Sequence, residues 1–336
     1  MTAANRPGIL VDPLGRVHAD LRVSVTDRCN IRCQYCMPAE GVVFKPHDAI
    51  LAFEEIERVV RVAASLGVRK VRLTGGEPLV RHGICQLVRM VSAIHGIEDL
   101  AMTTNGVLLA DFAEDLKRAG LQRLNISLDT VRREKFREIA RRDALPKVLR
   151  GIAAARRAGF EHIKLNAVAL RGQSEDDVVP LARFAREHGL ELRFIEFMPL
   201  DGANRWRRGD VLSAGEILRL LTEGIGPLEP IVESEARGLA TEYRFADGIG
   251  RVGVIASVSE PFCRHCGRIR LTAEGMLRNC LFSAREWDVR GVLRGGGSDE
   301  ELIAMFHAAI GAKRPARGAE DGQFARPSRA MYQIGG

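Results

Sequence analysis

Short apolar runs alternate with longer amphipathic stretches through the first 200 residues of this 336-residue chain. Period-2 and short apolar patterns indicate strands, and apolar positions three or four residues apart indicate helices. We predict strands at 21–25, 71–74, 100–103, 124–128, 163–170 and 192–197, with helices at 54–66, 84–94, 111–119, 147–158 and 176–188. This alternation predicts a parallel α/β sheet with right-handed crossovers. Six units are too few for a closed eight-stranded barrel, and an open partial barrel or a doubly wound sheet both fit the pattern.

The pattern changes after residue 200. A helix is predicted at 214–221 and another at 300–310. Two hairpins are predicted, with strands 241–246 and 251–256 around Asp247-Gly248, and strands 269–272 and 276–279 around Glu274-Gly275,. We therefore expect two units, a barrel-like region at 1–200 and an α+β region at 201–336.

Polar and charged side chains interrupt the predicted strands. Residues two apart in a strand share a face, and a parallel sheet covered on both faces should be almost continuously apolar. Unpaired buried charges cost several kcal/mol each. Edge positions or ion pairs would explain any one of these residues, but together they favour a wet, cationic cavity that binds an anion. They are Arg22, Lys70, Arg72, Asn125, Ser127, Lys164, Asn166 and Arg193.

The charge balance also suits an anionic partner. The net charge is +7 and the pI is about 9.2, which would fit an acidic small molecule or a nucleic acid. Aromatic residues are only 5% and no dense basic run occurs, which argues against single-stranded nucleic acid. No apolar run approaches the length of a membrane span, and the N-terminus lacks a signal pattern, so we expect a cytoplasmic protein.

The first of two cysteine groups is Cys29, Cys33 and Cys36. In a reducing compartment, the seven cysteines favour metal or redox chemistry over disulfides. Three closely spaced thiolates can hold a cubane iron–sulfur cluster and leave one iron open to a substrate or cofactor. A structural zinc site would normally have a fourth ligand nearby, and the nearest histidine is His47.

The second group is Cys263, Cys266 and Cys280. Zinc is an alternative here, with His265 as the fourth ligand, but a histidine between the two cysteines is poorly placed to reach the same ion. Two triads in one chain favour two open cubanes. Arg268 and Arg270 follow on one face of a predicted strand, and paired guanidinium groups suit phosphate or carboxylate.

The first triad resembles the defining motif of the radical S-adenosylmethionine (SAM) enzymes, in which an aromatic residue such as Tyr35 precedes the last cysteine. Within that superfamily the chain resembles the GTP 3′,8-cyclase family over essentially its whole length. The segments that carry the resemblance are Leu73-Thr74-Gly75-Gly76-Glu77-Pro78, Thr103-Thr104-Asn105-Gly106, Asn125-Ile126-Ser127-Leu128-Asp129, Phe197-Met198-Pro199, the second cysteine group with Gly267-Arg268-Ile269-Arg270, and the terminal Gly335-Gly336.

The resemblance implies an incomplete (β/α)₆ TIM-like barrel whose mouth is closed by the C-terminal α+β region. It implies one [4Fe–4S] cluster on Cys29, Cys33 and Cys36, and another on Cys263, Cys266 and Cys280. SAM would contact Tyr35, Gly76, Ser127 and Met198. GTP would contact Arg22, Arg72, Thr103, Lys164, Arg268, Ile269 and Arg270, with Lys70 and Arg193 as further phosphate contacts. Catalytic roles would belong to Arg268, Arg270, Gly335 and Gly336.

The implied reaction is the first step of molybdenum cofactor biosynthesis. A 5′-deoxyadenosyl radical takes the ribose 3′ hydrogen of GTP, and the product is (8S)-3′,8-cyclo-7,8-dihydroguanosine 5′-triphosphate. The expected partners are a flavodoxin-like electron donor and the next enzyme of the molybdopterin pathway, with no nucleic acid and no membrane, and the chain would be a monomer or homodimer. Two other interpretations remain: a twin-cluster radical SAM enzyme that modifies a peptide, and a zinc-bearing nucleic-acid-binding protein.

Overall fold

Six parallel strands form the N-terminal part of the sheet in the computed structural model, which describes residues 8–203, 205–231, 239–314 and 327–335. The strands are β1 (Asp20–Ser24), β2 (Lys70–Thr74), β3 (Asp99–Thr104), β4 (Arg123–Ser127), β5 (Ile163–Ala169) and β6 (Glu191–Glu196). Each strand pairs in parallel with the next along the chain. The predicted β/α alternation is therefore confirmed.

One or two helices follow each of the strands β1 to β5. They are α1 (Phe53–Ser65), α2 (Ile84–Ser92), α3 (Leu109–Arg118), α4 (Arg133–Ala140), α5 (Leu145–Arg157) and α6 (Glu175–Glu187). Five of them match the predicted helices to within a few residues. The sequence pattern missed α4 because this short helix buries only Phe136 and Ala140, which is too few apolar positions to define a helical period.

The C-terminal region contains both predicted hairpins. Its elements are α7 (Ala214–Gly224), β7 (Leu228–Pro230), β8 (Thr241–Phe245), β9 (Arg251–Ile255), β10 (Arg268–Leu271), β11 (Met276–Arg278), β12 (Trp287–Asp288), α8 (Val289–Arg294), α9 (Asp299–Gly311) and α10 (Met331–Ile334). Strands β8 and β9 pair antiparallel, as do β10 and β11. Helices α8 and α10 and strands β7 and β12 are too short to be predicted from the sequence pattern.

The C-terminal strands extend the barrel sheet at both of its edges. Strand β10 pairs in parallel with β1, and β9 pairs in parallel with β6. The strand order within the described residues is β12-β11-β10-β1-β2-β3-β4-β5-β6-β9-β8-β7. The sheet is open, with eight parallel strands in the middle, and this agrees with the predicted incomplete barrel.

Alternate residues of each parallel strand face opposite sides of the sheet. Leu21, Val23, Val71 and Leu73 are fully or almost fully buried in the apolar core with the helices. The residues between them face a cavity on the other side of the sheet. No helix in the described part of the chain is both long and apolar enough to cross a membrane.

Glu196 fastens the C-terminal region to the end of β6. Its fully buried carboxylate accepts hydrogen bonds from the backbone N–H groups of Ala214 (2.9 Å), Val258 (2.8 Å) and Ser259 (2.7 Å). The Ser259 hydroxyl donates a fourth, at 2.5 Å. The start of α7 and the turn after β9 therefore share one acceptor, which fixes both segments beside the barrel.

We predict that Glu196→Ala lowers the free energy of unfolding by about 2–5 kcal/mol, because the buried N–H groups of Ala214 and Val258 and the partly buried one of Ser259 lose their acceptor,. The expected readout is a lower denaturation midpoint in urea, followed by circular dichroism. Glu187→Ala serves as the matched control, since Glu187 is exposed on α6 and should change the midpoint little. Equal midpoints for the two variants would show that Glu196 does not fasten the two regions.

Candidate active site

The concave side of the sheet encloses a cavity of about 400 Å³. Side chains from β1 to β6 and from β10 line its wall, and the loop after β1 brings in Cys29, Cys33 and Cys36. The predicted SAM residues Tyr35, Gly76, Ser127 and Met198 also line it, as do Arg22, Arg72, Thr103, Arg268 and Arg270 of the predicted GTP set and the additional Lys70 and Arg193. The structure thus brings most of the predicted site residues around one space.

All three thiols of the first triad are free and partly exposed to the cavity. Burial raises the pKa of Cys29 to about 11 and that of Cys36 to about 12, and it also raises the pKa of Cys33. The thiols at this place would therefore lose their protons only on binding a metal ion such as iron, which displaces the protons. In the described part of the chain no three potential ligands converge on one ion position. An iron–sulfur cluster does not require such convergence because each cysteine binds a different iron, so the donor set fits a cluster.

Gly75 and Gly76 allow the turn after β2 to lie against the cysteine loop. A Cβ on Gly76 would stand 2.3 Å from the Arg28 carbonyl oxygen, and one on Gly75 would stand 2.4 Å from the carbonyl oxygen of Thr26. The backbones also bond directly, from Gly76 N–H to Thr26 (2.8 Å) and from Glu77 N–H to Arg28 (2.8 Å). Close backbone packing is therefore the physical reason for these glycines.

Tyr35 is fixed in the cavity wall by Asp129. The phenol donates a 2.7 Å hydrogen bond to one Asp129 oxygen, and the backbone N–H of Val168 donates to the other at 2.9 Å. Burial raises the pKa of Asp129 to about 6 against the opposing effect of these bonds. The contact joins the cysteine loop to the ends of β4 and β5.

Two rows of charged residues cross the cavity wall, and they differ in their balance of positive and negative charge. In the first row, Arg268, Asp20, Lys70 and Asp99 stand opposite one another on β10, β1, β2 and β3, so cations and anions alternate. In the second row, Arg270, Arg22 and Arg72 stand opposite one another with no anion among them. Like charges directly opposite in neighbouring strands are destabilising. Asp20 of the first row acts on all three arginines, but the second row keeps an excess of positive charge that favours a bound anion.

Several buried polar atoms in and beside this second row have no hydrogen-bond partner in the described structure. Among the described residues, the Nε atoms of Arg22 and Arg72 have no hydrogen-bond acceptor, and nearby Thr103 Oγ1 and Asn166 Oδ1 are also unpaired. Burial, followed by repulsion from Arg72, Arg268 and Arg270, lowers the pKa of Arg22 well below its usual range. Burial similarly lowers the pKa of Arg270 to about 9. A bound anion with several oxygen acceptors would satisfy these donors.

Two residues of the predicted GTP set, Lys164 and Ile269, do not present their side chains to the cavity. Lys164 does not line the cavity, and its ammonium pairs with Glu191 at 2.6 Å. Arg193 pairs with the same glutamate at 2.7 Å and with Glu242 at 2.6 Å. The Ile269 side chain is fully buried in the apolar core, on the other face of β10, so only its backbone could meet a ligand.

The second cysteine triad lines an adjoining cavity of about 240 Å³. Arg268 Nε donates to Cys266 Sγ at 3.4 Å. Burial is the largest influence on Cys266 and raises its pKa, but Arg268 and Lys313 outweigh it and bring the pKa down to about 6. His265 is exposed and is absent from the cavity lining, so the donor set here is the three cysteines, again suited to a cluster.

The two cavities share part of their walls. Met198, Phe262, Arg268, Arg270 and Leu281 line both. The two triads therefore face neighbouring spaces separated by the arginines of β10. A ligand lying across these arginines would contact both sites.

The C-terminal segment approaches the same arginines. The Arg270 guanidinium donates to the carbonyl oxygen of Gly335. Gly335 has φ +73°, and a Cβ there would stand 2.6 Å from both Ser24 Oγ and Thr74 Cγ2, so only glycine fits. The other predicted tail residue, Gly336, lies outside the described residues.

Several residues of the site were not predicted. Arg123 lines the cavity on the same face as Asn125, and strand periodicity could have found it. Asp129, Asn105 and Lys313 depend on contacts between loops and distant segments, for which the sequence has no local signal.

Comparisons with known proteins agree with the sequence resemblance. Residues 23–185 match the Radical SAM superfamily and residues 190–318 match Molybdenum Cofactor Synthesis C. A GTP 3′,8-cyclase of Rhodopirellula baltica is 50% identical over 98% of this chain and 93% of its own length. One of Pelotomaculum thermopropionicum is 48% identical over 94% of this chain and 97% of its own length.

Solved structures support the fold. The crystal structure of Streptococcus suis SuiB bound to S-adenosylmethionine has a TM-score of 0.59 at 16% identity, covering 87% of this chain and 68% of that one. At this identity the likeness concerns the fold alone. The near full-length sequence matches decide the family: this chain belongs to the GTP 3′,8-cyclase family of radical SAM enzymes.

Proposed function

We propose that this protein is a radical SAM GTP 3′,8-cyclase that catalyses the first step of molybdenum cofactor biosynthesis. The observation that carries the proposal is the row of three arginines, Arg270, Arg22 and Arg72, placed between two cysteine triads. Such a row suits a triphosphate, and two open clusters suit a radical reaction on the nucleotide that carries it.

The cluster ligands in this proposal are Cys29, Cys33 and Cys36 in the barrel, and Cys263, Cys266 and Cys280 in the C-terminal region. Bound SAM and the first [4Fe–4S] cluster together supply the radical that removes a ribose hydrogen. Tyr35, Gly76, Ser127 and Met198 would hold SAM at the ends of the strands. Tyr35 can do so rigidly because Asp129 fixes its phenol at 2.7 Å.

Arg22, Arg72, Thr103 and Arg270 would bind the phosphates through donors that have no protein acceptor in the described structure or, for Arg270, only the Gly335 carbonyl. Arg268 would approach both the nucleotide and the second cluster, since it already contacts Cys266. Lys164 and Arg193 would act at the margin of the site because Glu191 partly neutralises both. Ile269 would contribute only its backbone.

The protein's own contribution to the reaction is to position the reactants. Radical transfer requires the ribose carbon and the guanine base in near-attack geometry before the radical forms. Arg270 is placed to connect substrate and tail, since it lines both cavities and bonds Gly335. We propose that Arg268, Arg270, Gly335 and Gly336 complete the catalytic site in this way.

Several finer assignments belong to the same proposal. The barrel would comprise residues 1–200 and the C-terminal region residues 201–336, although β9 and β10 pair within the barrel sheet. A flavodoxin-like protein would donate the electron, and the next enzyme of the molybdopterin pathway would receive the product. The protein would act in the cytoplasm as a monomer or homodimer.

We predict that the anaerobic, reduced protein releases 5′-deoxyadenosine and a cyclised nucleotide only when SAM and GTP are both present. Liquid chromatography with mass detection measures both products. ATP is the matched control because it carries the same triphosphate on another base. Stimulation of SAM cleavage by ATP or by a peptide, but not by GTP, would show that the substrate assignment is wrong.

We predict that Arg22→Met weakens GTP binding about 10- to 100-fold, since a charged hydrogen-bond partner of the phosphates is lost. The same change should raise the thermal midpoint of the GTP-free protein, because a buried cation that has no hydrogen-bond partner among the described residues is replaced by an apolar side chain. Calorimetry of GTP binding and thermal unfolding measure the two effects.

Arg118→Met is the control for this experiment, since the Arg118 side chain is 73% exposed and its ion pair with Asp115 lies at the surface. Such surface pairs contribute little, so neither quantity should change. A loss of both iron and stability in Arg22→Met would instead identify Arg22 as a structural residue.

A further inference from the structure

Asn105 lies where the end of β3 meets the loop that carries the first cysteine triad. It is only 8% exposed and lines the larger cavity. Its side-chain Nδ2 donates to Asn30 Oδ1 at 2.7 Å and to Cys29 Sγ at 3.7 Å. Both amide hydrogens are therefore used, one of them on a cluster-ligating sulfur.

The orientation of this amide is fixed by its other contacts. The backbone N–H of Val107 donates to Asn105 Oδ1 at 3.0 Å, so the oxygen must face Val107 and the nitrogen must face the cysteine loop. The opposite orientation would place two oxygens, those of Asn105 and Asn30, against each other. The hydrogen-bond network thus specifies an N–H donor toward Cys29.

A buried carboxylate holds Asn105 in this position. Glu77 accepts a 2.6 Å hydrogen bond from the Asn105 backbone N–H, and others from the Thr104 hydroxyl (2.6 Å) and the Leu79 backbone N–H (3.1 Å). Glu77 follows β2, so the ends of β1, β2 and β3 are connected by one network. The donor to Cys29 is therefore part of a rigid arrangement.

We infer that Asn105 is a positioning residue that raises the reduction potential of the first cluster through its hydrogen bond to Cys29. The inference rests on the proposed cluster at that triad. Adding an electron makes the cluster sulfurs more negative, and an N–H donor stabilises the more negative form. Reduction by a one-electron donor protein would become more favourable, while the number of bound irons stays the same.

A comparison within the chain supports a specific role for Asn105. At the second triad the sulfur of Cys266 accepts from the Arg268 guanidinium at 3.4 Å. At the first triad the donor is a neutral amide, in a place where Glu77 and Asp129 are the nearby carboxylates. The amide supplies a donor to sulfur without adding a charge where SAM must bind.

The test compares Asn105→Ser and Asn105→Asp in the anaerobically reconstituted, full-length protein. Serine can still accept from the Val107 N–H but is too short to reach Cys29, and aspartate keeps the acceptor while replacing the donor by a negative charge. The control is Asn125→Ser, which removes a buried amide from the same cavity wall. Among the described residues, this amide has no contact with a cysteine.

Iron content is measured for each protein, and a redox titration is followed by electron paramagnetic resonance. The signal that changes on adding SAM identifies the first cluster.

We expect the ratio of reduced to oxidised first cluster at a fixed potential to fall about tenfold in Asn105→Ser, which is about 59 mV for one electron. This ratio should fall further in Asn105→Asp. In Asn125→Ser the ratio should be the same as in the unmodified protein. Unchanged potentials with full iron content would overturn the inference, and so would loss of the cluster in Asn105→Ser, since the residue would then be structural. Absence of a SAM-sensitive cluster in the unmodified protein would instead overturn the proposed function.

Discussion

Arg270, Arg22 and Arg72 stand opposite one another on three adjacent parallel strands, on the cavity side of the sheet, and none of them forms an ion pair with a carboxylate among the described residues. This row constrains the rest of the structure, because unpaired buried charges are tolerated only where the surrounding fold is stable enough to hold them. The apolar residues of the same strands supply that stability on the opposite face, where they pack against the helices. The two faces of each strand thus serve different purposes, one for folding and one for binding.

Buried carboxylates keep the loops around this cationic wall in place. Glu77, which follows β2, forms hydrogen bonds with the loop after β1 and with the end of β3. Glu196 connects β6 to the C-terminal region. Each carboxylate accepts hydrogen bonds mainly from backbone N–H groups, which are present whatever side chains the donor residues carry. Burial raises the pKa of Glu77 to about 7, so its hydrogen bonds are formed against a considerable desolvation cost. Rigid loops at the strand ends are what a positioned radical reaction requires.

Much of this arrangement could be predicted from the sequence. The β/α alternation, both hairpins, the two cysteine triads and the polar face of the strands follow from local patterns, because they depend on periodicity of two or 3.6 residues. The pairing of β10 with β1 and of β9 with β6 could not be predicted, since it joins segments far apart in the chain. The ion pair of Lys164 with Glu191 was missed for the same reason: strand periodicity shows which face a residue occupies but not its partner. Asn105 belongs to the segment Thr103-Thr104-Asn105-Gly106, which carries part of the family resemblance. Its contact with Cys29 joins two loops that are far apart in the sequence, so the sequence alone could not show it.

The parallel pairing of β10 with β1 also bears on how the chain is made. Strand β1 precedes β10 by a long stretch of chain, so it is synthesised well before residues 268–271, which pair with it. Until then one edge of β1 has no partner, and an unpaired apolar strand is a site for association with other chains. Co-translational folding of the sheet therefore cannot be complete until β10 has been synthesised.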